Sequence, residues 1–221
     1  MKVPTRLLLV GNSFTFYNGG VENHLRLLAE SEHPPRLLQA DRAAKGGATL
    51  KILQNQEWLH EKIREGLYDL VILQEDIPEL TEHSVAPFQE QVRLFDREIR
   101  GVGGNTALFM TWPYERLNWV SLEQIEQVHG AISRELNIPV APVGTAFQRA
   151  LRERPGLAML GPDREHQTLH GTYLAANVIY AVVFGKNPKG LSYFPLGVSA
   201  EEAAFLQDIA WATVTHWQKQ R

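Results

Sequence analysis

Apolar residues in this chain arrive in short bursts, and nothing else in the sequence constrains the fold as much. Residues 7–10 (Leu-Leu-Leu-Val) stop at Gly11, residues 69–73 (Asp-Leu-Val-Ile-Leu) stop at Gln74, and residues 106–111 (Thr-Ala-Leu-Phe-Met-Thr) run up to Trp112. Runs of this length suit strands buried on both faces, as in a parallel sheet, and fall far short of the roughly 20 apolar residues that a spanning helix needs. Residues 36–40 read as a weaker strand, and 138–143, with two prolines, as an edge strand. Between the strands, residues 21–31, 50–65, 85–99 and 122–136 carry apolar side chains at helical spacing, as do 173–184 and 200–217 near the C-terminus. Short strands alternating with helices of ten or more residues predict a parallel sheet with helices on both faces.

Composition narrows the class of function. The 221 residues are 44% hydrophobic and 21% charged, which is ordinary for a globular protein. A chain of this length buries roughly 70% of its unfolded surface, so one core suffices. There is no cysteine, which excludes a disulfide scaffold, a thiolate nucleophile and thiolate-ligated metal. A formal net charge of −3 argues against nucleic acid or an anionic membrane as the main partner. No stretch reads as a leader or a membrane span, so the expected location is cytoplasmic. The glycines at 101, 103 and 104 precede a strand rather than open a helix, and so lack the context of a phosphate-binding loop.

Open α/β sheets bind ligands outside the carboxyl ends of their strands, which directs attention to two irregular stretches, 12–20 and 154–171. The first begins Asn12-Ser13. A serine just past a buried strand stands where a nucleophile belongs, although Gly, Asn and Ser also suit a plain turn. The second contains Asp163-Arg164-Glu165-His166. Residues three apart in a helical turn share a face, so Asp163 can accept from one imidazole nitrogen and leave the other free as a base. His166 and His170 are also four apart, a metal-ligand spacing on a helix. A metal-dependent hydrolase using those two histidines is one alternative, although no further ligand cluster stands nearby. The remaining histidines, 24, 33, 60, 83, 129 and 216, read as structural or solvated.

Gly11-Asn12-Ser13 after the first strand, Gly46-Gly47-Ala48-Thr49 after the second and Asp163-x-x-His166 before a C-terminal helix occur in a telling order. Over essentially its whole length the sequence resembles the SGNH/GDSL hydrolase superfamily, and most of all a bacterial branch with Gly-Asn-Ser-Phe-Thr at the nucleophile. Leu73-Gln74-Glu75, Thr111-Trp112 and the stretch from His166 to Ala176 belong to the same likeness. The resemblance implies that Ser13 is the acyl-accepting nucleophile, His166 the general base and then acid, and Asp163 the orienting carboxylate. It implies that the backbone N–H groups of Ser13 and Gly47 hold the oxyanion, with Gly46 as the alternative donor. Such preorganised donors contribute about 3–4 kcal/mol each to the transition state.

Two departures from the family pattern stand out. The third block usually offers an Asn as a further oxyanion donor, and here Gln74 is the candidate replacement; the other reading is that Gln74 merely ends a strand. Asn12 stands where the family usually has Asp, which removes a charge beside the nucleophile. Glu75 and Asp76 cannot donate when ionised and read as solvated or supporting. Trp112 is either a wall of the substrate pocket or a core-capping aromatic, and Phe14, Phe16 and Tyr17 pose the same choice.

The expected molecule is therefore a single three-layer α/β/α sandwich over residues 1–221, of flavodoxin-like type, with a mostly parallel sheet of about five strands. The expected activity is hydrolysis of a small-molecule carboxylic ester, acetylated carbohydrate among the candidates, through an acyl-enzyme on Ser13 and without any cofactor or metal. The alternative from another class is a catalytically impaired relative that only binds a glycan or similar ligand.

Overall fold

The structure, a computed structural model, describes residues 3–76, 85–117 and 119–220. Strand β1 (Arg6–Gly11) is buried along almost its whole length. It sits between β2 (Gln39–Ala44) and β3 (Leu70–Leu73), with β4 (Asn105–Met110) and β5 (Val140–Pro142) beyond, in the order β2-β1-β3-β4-β5. Every pairing is parallel: Leu9 lies opposite Arg42 on one side and Ile72 on the other, Ile72 opposite Ala107, and Leu108 opposite Val140. This is the doubly wound order of the flavodoxin-like fold, as the alternation of runs and helices predicts.

Helices cover both faces. Helix α1 (Ser13–Phe16) and a 3-10 turn (Tyr17–Gly19) lead into α2 (Val21–Glu30). On one face α2 packs with α7 (Val143–Glu153), α8 (Leu169–Phe184) and α9 (Ala200–Lys219). On the other lie α3 (Leu50–Gln54), α4 (Glu57–Gly66), α5 (Ala86–Gly101) and α6 (Leu122–Leu136). Helix α8 is apolar nearly all round because it is enclosed, contacting β5, α2, α7 and α9. Capping boxes start α6 at Ser121 with Gln124, and α9 at Ser199 with Glu202.

Several boundaries differ from the sequence reading. The second strand lies at 39–44, not 36–40. It is the polar edge strand, and the apolar pair Leu37-Leu38 precedes it, with Leu37 83% exposed. The helix expected over 50–65 is two helices, since Asn55 and Gln56 interrupt it. Helix α7 follows β5 without a loop. The nominally irregular stretch 12–20 contains α1 and the 3-10 turn. His83 lies outside the described residues. No helix among them is long and apolar enough to cross a membrane.

Candidate active site

Because all five strands are parallel, the segments after β1, β2, β3 and β4 emerge at the same edge of the sheet. Ser13 is the first residue of α1, two positions past the end of β1. Asn12 caps that helix, its Oδ1 accepting from Phe14 N at 3.1 Å while its Nδ2 donates to Asp76 Oδ1 at 3.1 Å. The amide in place of aspartate thus serves as both cap and strut, and at 1% exposure it offers no surface to a ligand.

His166 Nε2 lies 2.8 Å from Ser13 Oγ, and its Nδ1 lies 2.8 Å from Asp163 Oδ2. The other carboxylate oxygen of Asp163 accepts from the backbone N–H groups of Glu165 (3.1 Å) and His166 (3.0 Å). The imidazole hydrogen bond, followed by these backbone bonds, holds the Asp163 carboxyl below the usual range. With Asp163 ionised, Nδ1 carries the hydrogen, which makes Nε2 the acceptor for the serine hydroxyl. The spacing does not arise from a helical turn, as the sequence suggested. Residues 161–166 form a tight loop with Arg164 in the left-handed region (φ 54°), held by Gly161 N donating to His166 O and Arg164 N to Gly161 O.

Aromatic rings fix the imidazole from two directions. Tyr17 stacks on it face to face, centroids 4.2 Å apart and planes within 8°, and Phe14 packs against it at 5.5 Å. Trp112 lines a small cavity of about 130 Å³ with Phe147 and Leu160, one that takes in neither Ser13 nor His166. It is 2% exposed, stacks on Phe147 and meets Phe14 edge-on, and its indole N–H donates to Glu165 O at 3.0 Å. It therefore ties the His166 loop to the end of β4. Salt bridges Arg116–Glu165 and Arg164–Glu115 reinforce that seam. On the other side, Asn18 donates to Gln167 O and Thr172 Oγ1, at 2.9 and 2.8 Å. His24 Nε2 faces the Asn18 carbonyl, so it must donate, and Nδ1 then accepts from the Tyr193 hydroxyl. Burial, partly offset by the bond to Asn18, pushes the His24 pKa down, in keeping with a neutral ring.

The turn after β2 is closed by Ala48 N donating to Lys45 O, with Gly47 at φ +63°. A Cβ on Gly47 would meet nothing within 4 Å, so the glycine answers a backbone need and not crowding. Gly46 lies beside the ring of Phe16. Among the described residues the N–H groups of Ser13, Gly46 and Gly47 have no acceptor within the protein.

Gln74 departs from the oxyanion role considered for it. It is completely buried. Its Oε1 accepts from Asn12 N (2.8 Å) and Thr15 Oγ1 (3.1 Å), and its Nε2 donates to Glu75 O (2.6 Å). It braces the turn that presents Ser13, and it comes so close that a Cβ on Gly11 would run into its carboxamide. Glu75 is not solvated but 2% exposed, and its Oε1 accepts from Leu50 N (2.9 Å) and Asp76 N (2.7 Å). It anchors the start of α3, and with it the glycine turn. The two-histidine metal arrangement does not form: His170 Nε2 lies 3.4 Å from Glu202 on α9, while His166 faces Ser13. No group of three or more His, Asp or Glu side chains among the described residues is placed to hold a metal ion.

No protein-family model and no curated protein matches this chain. Solved structures do. A DUF4886 family protein from Bacteroides uniformis is 18% identical, with a TM-score of 0.77 over 96% of this chain and 95% of that one. A putative SGNH hydrolase from Slackia heliotrinireducens is 21% identical, with a TM-score of 0.68 over 80% of this chain and 98% of its own. An acetylxylan esterase from Geobacillus stearothermophilus is 18% identical, with a TM-score of 0.66 over 83% and 96%. At these identities the likeness is one of fold: the five-stranded parallel sheet and its flanking helices are shared with proteins described as hydrolases and esterases.

Proposed function

We propose that this protein is a serine esterase of the SGNH/GDSL kind, hydrolysing small carboxylic esters through an acyl-enzyme on Ser13. One observation carries the reading: the unbroken chain Ser13 Oγ, His166 Nε2, His166 Nδ1, Asp163 Oδ2, with 2.8 Å at each hydrogen bond. This is the nucleophile–base–orienter constellation by which such a triad is recognised, whatever the fold.

Ser13 Oγ attacks the ester carbonyl as His166 Nε2 takes its proton. Asp163 holds the resulting imidazolium in place. Negative charge gathers on the former carbonyl oxygen, and the N–H groups of Ser13 and Gly47, with Gly46 as alternative, have no acceptor among the described residues to compete for it. His166 then hands its proton to the departing alcohol. In the second half-reaction His166 deprotonates water, which attacks the acyl-enzyme, and Ser13 leaves with the proton returned. No charge or electron is left over, and no step calls on a cofactor. The fold likeness to an acetylxylan esterase makes acetyl esters of carbohydrate the first natural substrates to test.

Phenyl acetate hydrolysis by the wild type and Ser13→Ala tests the assignment. The expected loss is at least about a thousandfold in kcat, the scale on which nucleophile removal acts in a triad. Rates alike in the two proteins would overturn it.

A further inference from the structure

Ser13 and His166 are 153 residues apart and stand on separate segments, so something has to set the distance between them. One side chain spans the gap directly. Gln167, the residue after His166, donates from Nε2 to the carbonyl of Phe14, the residue after Ser13, at 2.8 Å. A single hydrogen bond thus joins the chain beside the base to the chain beside the nucleophile. We infer that Gln167 is a positioning residue, which holds His166 Nε2 against Ser13 Oγ by tying its own chain segment to the Phe14 carbonyl. The inference rests on the esterase reading above.

Both ends of the tie are fixed. At one end, α1 is a single turn of four residues. The last carbonyls of a helix need partners from outside it, and Gln167 supplies one for Phe14. At the other end, Gln167 is 2% exposed. Its backbone bridges to Leu160, and its carbonyl accepts from Asn18 Nδ2 at 2.9 Å. The next residue, Thr168, donates its N–H to Met159 O at 3.0 Å. Helix α8 meets the side chain at Gly171, where a Cβ would come within 2.8 Å of Gln167 Cβ. The chemistry of the side chain argues in the same direction. Gln167 Oε1 is buried and has no hydrogen-bond partner among the described residues. An unmet buried acceptor works against stability, and an apolar side chain of equal length would avoid it. Stability alone therefore does not account for an amide here. The donor on Nε2, aimed at the residue after the nucleophile, does.

The test removes the donor and then restores it with pH. Phenyl acetate hydrolysis is followed across pH for the wild type, Gln167→Met and Gln167→Glu, with kcat expressed per site titrated to completion by a fluorophosphonate. The ionisable groups around Gln167, which are Tyr17, Asp163, Glu165, His166 and His170, are common to all three proteins, so variant-to-wild-type ratios are compared. Met keeps the length and the burial but cannot donate. Its kcat is expected to be about tenfold low at every pH, with KM within about twofold, since misplacement acts on the reacting atoms and not on binding. Glu keeps the shape. Its buried carboxyl stays protonated to higher pH than usual, and in that form it donates as the amide does. Once ionised, it sets oxygen against oxygen. Its kcat is therefore expected within about twofold of wild type at about pH 5.5 and about tenfold low at about pH 9, beyond the range in which an imidazole titrates. A merely structural role would lower Tm without this reversal by pH. A Gln167→Met kcat within about twofold of wild type, or a Gln167→Glu ratio that does not change with pH, would overturn the role. If Gln167→Met does not fold, the pH course of Gln167→Glu decides alone. Ser13→Ala separates the two levels. Full activity in that variant removes the esterase reading, whereas a Ser13-dependent enzyme indifferent to Gln167 removes only this inference.

Discussion

At the scale of single residues, the site depends on groups being held rather than on unusual chemistry. Asp163 is the clearest case. Its side chain is 49% exposed, yet three hydrogen bonds fix both its oxygens. A buried orienting carboxylate is worth about 10⁴ in kcat in the best-studied triad. An exposed one works through a more screened field, so Asp163→Ala should lose about 10- to 100-fold in kcat, with KM nearly unchanged and far more residual activity than Ser13→Ala. A loss equal to that of Ser13→Ala would mean that the carboxylate does more than orient. Ser13, Asp163, His166 and the glycine turn could be picked out in the sequence as candidates because they are short motifs at the ends of predictable elements. The role of Gln74 could not. Its type and position fitted a donor, but only packing reveals that its amide faces inward onto Asn12 and Thr15. The stacking of Tyr17 on His166 likewise joins residues 149 apart, and no local pattern announces such a contact.

At the scale of elements, strands were easier to read than the segments between them. The central strands β1, β3 and β4 are continuous apolar runs because both faces are covered. The edge strand β2 (sequence Gln-Ala-Asp-Arg-Ala-Ala) has no such signature, so its position depends on pairing with β1. Helices α3 and α4 share one apolar period and read as a single helix until Asn55 and Gln56 break it. The start of α3 bears on the proposed site. Thr49 caps it by accepting from Ile52 N, and Glu75 receives Leu50 N from across the sheet edge. Glu75→Ala would leave the Leu50 N–H buried and unpaired, at a cost of about 1–3 kcal/mol. It would also free the glycine turn that precedes α3. Urea unfolding should show that destabilisation, and ester hydrolysis should fall in kcat more than it changes in KM. Glu75→Gln keeps an acceptor oxygen and should recover most of both. Full activity in Glu75→Ala would show that the turn is set without this anchor.

At the scale of the whole molecule, the two ends of the sheet carry different burdens. The carboxyl edge holds the proposed site, while part of the stability rests on ties between helices elsewhere. Glu32, just past α2, is 7% exposed and accepts from Arg36 at 2.7 Å and from Lys186, just past α8, at 2.6 Å. Burial opposes its charge, but hydrogen bonds from Arg36 and Lys186 outweigh it and hold the carboxyl at about 2. The folded value thus lies below the unfolded value of about 4.3. The pair network contributes fully above that pH, and its contribution is lost as pH falls from there toward 2. Because Lys186 is half exposed, solvent screening limits the contribution to about 1 kcal/mol. Glu32→Gln should therefore lower Tm at pH 7 by about 2–4 °C. The gap from wild type should stay constant down to about pH 5 and narrow from about pH 4 toward pH 2, as protonation of Glu32 removes the charge that Gln lacks. Thermal denaturation across that range, followed by circular dichroism, reads the effect directly, and a gap that persists at pH 2 would assign the loss to packing rather than to charge.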